Sequence, residues 1–63
     1  MAFKINVHFV EFNNNLYKEE FTDNWQQAFG AFTIYVSDPD CVCCKVTYID
    51  KNEEKIVLTF SSF

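Results

Sequence analysis

Residues 3 to 12 alternate along the chain, with Phe3, Ile5, Val7 and Phe9 on one side and Lys4, Asn6 and His8 on the other. A period of two is the mark of a strand that buries one face. Asn13-Asn14-Asn15 follows, and asparagine tolerates the left-handed backbone of tight turns. Residues 16 to 21, whose apolar content is Leu16, Tyr17 and Phe21, are therefore predicted to return as the second strand of a hairpin. At Thr22-Asp23-Asn24 the period changes. Trp25, Ala28, Phe29, Phe32, Tyr35 and Val36 recur at the spacing of one helical face. Thr22 or Asp23 is expected to cap the first turn, Asp23 with Gln26 having capping-box spacing. Asp38-Pro39 closes the helix, because a residue before proline is pushed out of helical geometry. The expected helix spans roughly residues 23 to 37. The rival pattern ends it near Gly30 and makes Thr33-Ile34-Tyr35-Val36 a strand, since those residues favour strands.

Alternation resumes over residues 41 to 49, with Val42, Cys44, Val46 and Tyr48 on one face. Asp50 to Glu54 forms a polar turn of hairpin length. Lys55 to Ser61 supplies a last strand, with Ile56, Leu58 and Phe60 facing one way. The predicted fold class is α+β, in the order ββαββ. Strands one and four run in the same direction, so the expected arrangement is a four-stranded mixed sheet with that pair parallel at its centre. One helix would cover one face, burying Trp25, Phe29, Phe32 and Val36 against Phe3, Ile5, Val7, Leu58 and Phe60. That arrangement is β-grasp-like, an analogy of fold that carries no function.

Composition narrows the class of function. Sixty-three residues fit a single domain, residues 1–63, and a chain this short buries only about 60 % of its unfolded surface. Eight Phe, three Tyr and one Trp offset that, since each aromatic buries roughly 150–250 Å². Dimerisation is a further way to support so small a core. Five Lys against nine acidic residues, with no Arg, give a net charge of −4. The chain thus lacks the fork that reads guanine edges and repels both nucleic-acid phosphates and anionic membrane surfaces. No nucleic-acid and no membrane partner is expected. Nothing near the amino terminus has the pattern of a signal peptide, and the three cysteines do not suit a secreted disulfide framework. The expected compartment is cytoplasmic.

Chemistry-bearing residues are few. Cys41-Val42-Cys43-Cys44 is the most unusual local run. One reading is a metal or redox site with His8 as a further ligand. On a strand, however, Cys43 and Cys44 point to opposite faces, so at most Cys41 and Cys43 converge. The other reading makes Cys44 a small buried hydrophobe beside two part-exposed thiols. His8 has no nucleophile at a motif-like spacing, and no phosphate loop, nucleophile elbow or zinc-protease helix motif occurs. No enzyme activity and no cofactor are expected. Asp23, Asp50, Glu53 and Glu54 should gather at one end of the domain, with Glu11, Asp38 and Asp40 at the other. Such carboxylates either mimic nucleic-acid phosphates or are solvated loops. Val10, Ile49 and Val57 are expected on the sheet face away from the helix, and Ile34 lies off the helix stripe. Apolar side chains on an otherwise wet face suggest a protein interface, although scattered ones are common.

Three runs carry a resemblance to a known group: Phe21-Thr-Asp-Asn-Trp-Gln-Gln-Ala-Phe29, Ser37-Asp-Pro-Asp-Cys41, and Val46-Thr-Tyr-Ile-Asp-Lys-Asn-Glu-Glu-Lys55. Together they resemble small accessory proteins of phages and other mobile elements, mostly from Gram-positive hosts. The resemblance brings no functional residue with it. It implies a protein that binds a host or defence protein as an inhibitor rather than acting as an enzyme. The expectation is a non-enzymatic protein-binding module whose partner is a host factor or a second copy in a homodimer. The alternative is a small metal- or thiol-based domain using Cys41, Cys43 and Cys44.

Overall fold

The computed structural model describes residues 2–62. Its elements follow the predicted order: β1 (Ala2–Glu11), β2 (Asn14–Thr22), α1 (Trp25–Val36), β3 (Cys41–Asp50) and β4 (Glu53–Ser61). They form one four-stranded sheet ordered β2-β1-β3-β4, with every neighbouring pair antiparallel. Strands β1 and β4 do run the same way, but β3 lies between them. The sheet is therefore antiparallel, and the mixed, β-grasp-like arrangement expected from strand directions is corrected. The reason lies in the side chains. β3 buries Cys41, Cys44, Val46 and Thr47, whereas β4 opens with Glu53-Glu54-Lys55 and exposes most of its length. A charged strand suits an edge, where unpaired backbone must be guarded against other chains.

The helix is continuous through Val36, so the strand reading of residues 33 to 36 fails. Its cap is Asn24, not Thr22 or Asp23. The Asn24 Oδ1 accepts from the backbone N–H groups of Gln26 at 2.8 Å and Gln27 at 3.2 Å. Thr22 supports the cap, its hydroxyl oxygen accepting from Asn24 N–H and its O–H donating to Gln27 Oε1. At the other end Ser37 donates to the Thr33 carbonyl at 2.7 Å before Asp38-Pro39 leaves the helical path.

The helix lies over β1 and β3 and reaches β2. The core beneath it is Ile5, Val7, Ala28, Phe32, Cys41, Cys44 and Val46, with Phe3, Phe9, Tyr35, Val36, Leu58 and Phe60 packed around it. Trp25 and Phe29, expected to be buried, are 43 % and 48 % exposed. They stack on each other, with centroids 5.8 Å apart, and Trp25 rests on Phe3 at 5.3 Å. The short Ala28 is what lets the helix approach the sheet, and the bulky pair is pushed to its flank.

Two bulges reset the alternation. His8 pairs with Cys43 and Phe9 with Cys41, leaving Val42 extra on β3. Val46 pairs with Leu58 and Thr47 with Ile56, leaving Val57 extra on β4. The first bulge returns Cys41 to the helix side, where it is buried. Cys41 and Cys43 therefore do not share a face, against expectation. The second turns Ile56 away from Leu58 and Phe60. It pairs with Thr47, the neighbour of Lys4 on β1, and is 57 % exposed.

Candidate functional site

Two concave surfaces stand out. The first lies on the sheet face away from the helix, a groove of about 490 Å³ crossed by ordered rows of side chains. One row runs Tyr17, His8, Cys43, Ser61, and the next Glu19, Asn6, Lys45, Thr59. The His8 ring stacks on Tyr17 at 4.3 Å, and its Nε2 lies 2.8 Å from Asn15 Oδ1. Asn6 donates to Glu19 Oε2 at 2.9 Å. Strand order thus makes His8 and Cys43 direct cross-strand neighbours. Two ligand-type side chains do not close a tetrahedral zinc site, which takes four. Among the described residues no group of three or more His, Cys, Asp or Glu is placed to hold a metal ion. The three thiols are free, with Cys41 and Cys44 buried and Cys43 half-buried. Burial pushes the Cys44 thiol up to about 11, and the neighbouring Cys41 and Cys43 add to the shift. The Cys41 thiol is raised for the same first reason, with Cys43 and Asp38 contributing. Raised thiols hold their protons at neutral pH and are poor nucleophiles.

The apolar positions expected to form an interface are spread across the molecule. Val10 sits near the far end of β1, opposite Asn15, while Ile49 pairs with Ala2 at the other end of the sheet. Val57 occupies the β4 bulge at 38 % exposure, and Ile34 stands out from the helix at 71 %. The structure does not bring these four together. The acidic positions do fall at the ends named for them. Asp23 follows Thr22 opposite Phe3, and Asp50, Glu53 and Glu54 form the β3–β4 turn beside Ala2 and Ile49. Glu54 also meets Lys4 at 3.4 Å. End placement depends only on strand direction, which is why it survives the change of strand order.

The second surface lies between α1 and β2, a groove of about 470 Å³ whose apolar walls include Phe9, Leu16, Ile34 and Tyr35. Leu16 is 49 % exposed and faces the helix layer because it pairs with Phe9. Tyr35 packs edge-on against Phe9, centroids 5.8 Å apart, and its hydroxyl donates to Glu20. Glu11, Asp38 and Asp40 also line this groove. Beside it stands the β1–β2 turn, a two-residue connection of Phe12 and Asn13 between paired Glu11 and Asn14. Both turn residues take positive φ, 49° and 70°, as a type I′ hairpin requires. Phe12 is 90 % exposed. The sequence pattern set this turn at the three asparagines and so missed Phe12. Its signal was an aromatic residue directly before them.

No protein-family model matches this chain, and no curated protein or solved structure matches it significantly. No helix among the described residues is long and apolar enough to cross a membrane.

Proposed function

We propose that this chain is a non-enzymatic protein-binding module, with a host or defence protein of a bacterium as the class of partner to test first. The observation that carries the reading is Phe12. Left-handed backbone disfavours bulky residues and suits Gly, Asn or Asp. An aromatic side chain held there at 90 % exposure gives nothing to the core, so folding alone does not account for it. Exposed aromatic residues are typical anchors of protein interfaces, where they fill a partner's pocket. Leu16 is exposed on the helix side of the same hairpin, and Tyr17 and Val10 on its other face. The resemblance of the chain to phage and mobile-element accessory proteins supports the choice of partner class.

The test replaces Phe12 with the photoreactive analogue p-benzoylphenylalanine and irradiates the protein in bacterial extract, with the same analogue at Lys45 as control. Discrete adducts at position 12, absent at position 45 and suppressed by excess unlabelled parent, are expected. A Phe12→Asn competitor should fold at least as stably as the parent yet fail to suppress them. Identical adduct patterns at both positions, or none at position 12, would refute Phe12 as a binding residue.

A further inference from the structure

We infer that the groove between α1 and β2 docks a basic, hydrophobic segment of a partner protein, lying along β2. This rests on the protein-binding reading and names the chemistry of the partner. Shape supplies the first argument. Ile34 is 71 % exposed and Leu16 49 %, and both line a cleft together with Phe9 and Tyr35. Apolar side chains placed there would be removed from water on both sides.

Charge supplies the second argument. Glu11, Asp38 and Asp40 stand at one end of the cleft, and Lys18 is the single cation along it. That ammonium is already engaged, 5.7 Å from the Tyr35 ring centroid. The acidic loop is held in place before any partner arrives. Asp40 N–H donates to Asp38 Oδ1 at 2.9 Å, and the Asp40 carbonyl accepts from Val10 N–H at 2.9 Å. Carboxylates on a braced loop beside an apolar cleft complement a segment that alternates apolar and basic residues, and complementary charge steers such a partner into register. The same carboxylates repel anionic membranes and nucleic acid.

Topology supplies the third argument. β2 is an edge of the sheet, so its outer backbone groups are open to an added strand. A peptide that pairs with β2 points alternate side chains toward the helix layer, where the cleft lies, and the rest toward the other face.

The probe is a synthetic peptide of alternating leucine and lysine, titrated into isotope-labelled protein and followed by amide chemical shifts. Two control peptides carry glutamate for lysine or serine for leucine. Expected shifts centre on Leu16, Lys18, Ile34 and Tyr35, with binding weakened by salt and absent for both controls. Ile34→Ser should abolish binding while leaving the spectrum folded, because that side chain is already mostly in water. Asp38→Asn with Asp40→Asn should weaken binding roughly three- to tenfold, the scale of two exposed charge pairs. Equal binding of the glutamate peptide, or an Ile34→Ser variant that binds like the parent, would overturn the proposal. Shifts confined to the helix-free face would overturn the groove and leave protein binding standing. Concentration-dependent shifts at the same residues without peptide would assign the cleft to a second copy and overturn the basic segment. No shifts with any peptide, together with failed crosslinking at position 12, would remove both readings.

Discussion

Truncating two helix phenylalanines three residues apart, Phe29 and Phe32, separates the core from its flank. Phe32 is 9 % exposed and belongs to the buried cluster. Phe→Ala at such a site costs about 3–5 kcal/mol, because the lost burial is compounded by the cavity left behind. The total stability expected of 63 residues is roughly 3–9 kcal/mol at the usual share per residue. Phe32→Ala should therefore consume from about a third to all of it and lower the unfolding midpoint steeply. Phe29 is 48 % exposed, so only about half its side chain leaves water on folding, and its removal opens a notch that solvent fills rather than a sealed void. Full burial of Phe is worth about 1.5–3 kcal/mol. Half of that, with the lost Trp25 stack, puts Phe29→Ala at about 1–2 kcal/mol. For a domain of this size that is a fall in Tm of roughly 4–16 °C. Urea and thermal unfolding followed by circular dichroism give both numbers. Trp25, the single tryptophan, reports by fluorescence whether the folded Phe29 variant has lost its 5.8 Å ring contact. Equal losses for the two variants, or a Phe32→Ala melt within a few degrees of the parent, would refute this placement of the helix.

The remaining predictions concern the helix backbone and the thiols. Gly30→Ala should raise stability by about 0.5–1 kcal/mol, since mid-helix glycine carries that entropic cost and nothing lies within 4 Å of the added methyl group; an unchanged or lowered urea midpoint would refute it. Burial raises the Cys44 thiol from its ordinary 9.0 to about 11, so the unfolded chain loses that proton first as pH rises. The contribution is complete below about pH 9 and is lost as pH rises toward 11. Cys44→Ala, although less stable throughout, should show a shallower alkaline decline; parallel declines in the two proteins would place the effect elsewhere.

Strand directions were readable because each element announces its own period and the connections are short. Directions in turn fix which residues share an end of the domain, and so the two acidic ends follow without any knowledge of neighbours. Strand order is different in kind. It depends on which strand can give up both edges to other strands, and the alternation of β4 looks as regular as that of β3. The distinguishing feature was charge: Glu53-Glu54-Lys55 opens β4, whereas β3 has Lys45 alone before its terminal Asp50. The bulges at Val42 and Val57 left no mark in the sequence, because a single extra residue changes the facing of a side chain without changing its type.

The hairpin turn shows how one such detail decides whether a site is seen. With the turn at Phe12 and Asn13, paired positions sum so that Leu16 opposes Phe9 and Lys18 opposes Val7. Leu16 then stands on the helix side, where it lines the cleft with Ile34. A register slip of one residue would send every β2 side chain to the opposite face, putting Tyr17 beside the helix and Leu16 beside His8. The three asparagines pull the expected turn one to two positions along the chain and obscure the pairing. An aromatic residue stands in the left-handed part of the true turn, at a backbone cost that asparagine or glycine would avoid. Phe12 shares one surface hollow with Glu11 and Leu16, and those two line the cleft with Ile34, so the two hollows together are the surface the proposed partner must cover.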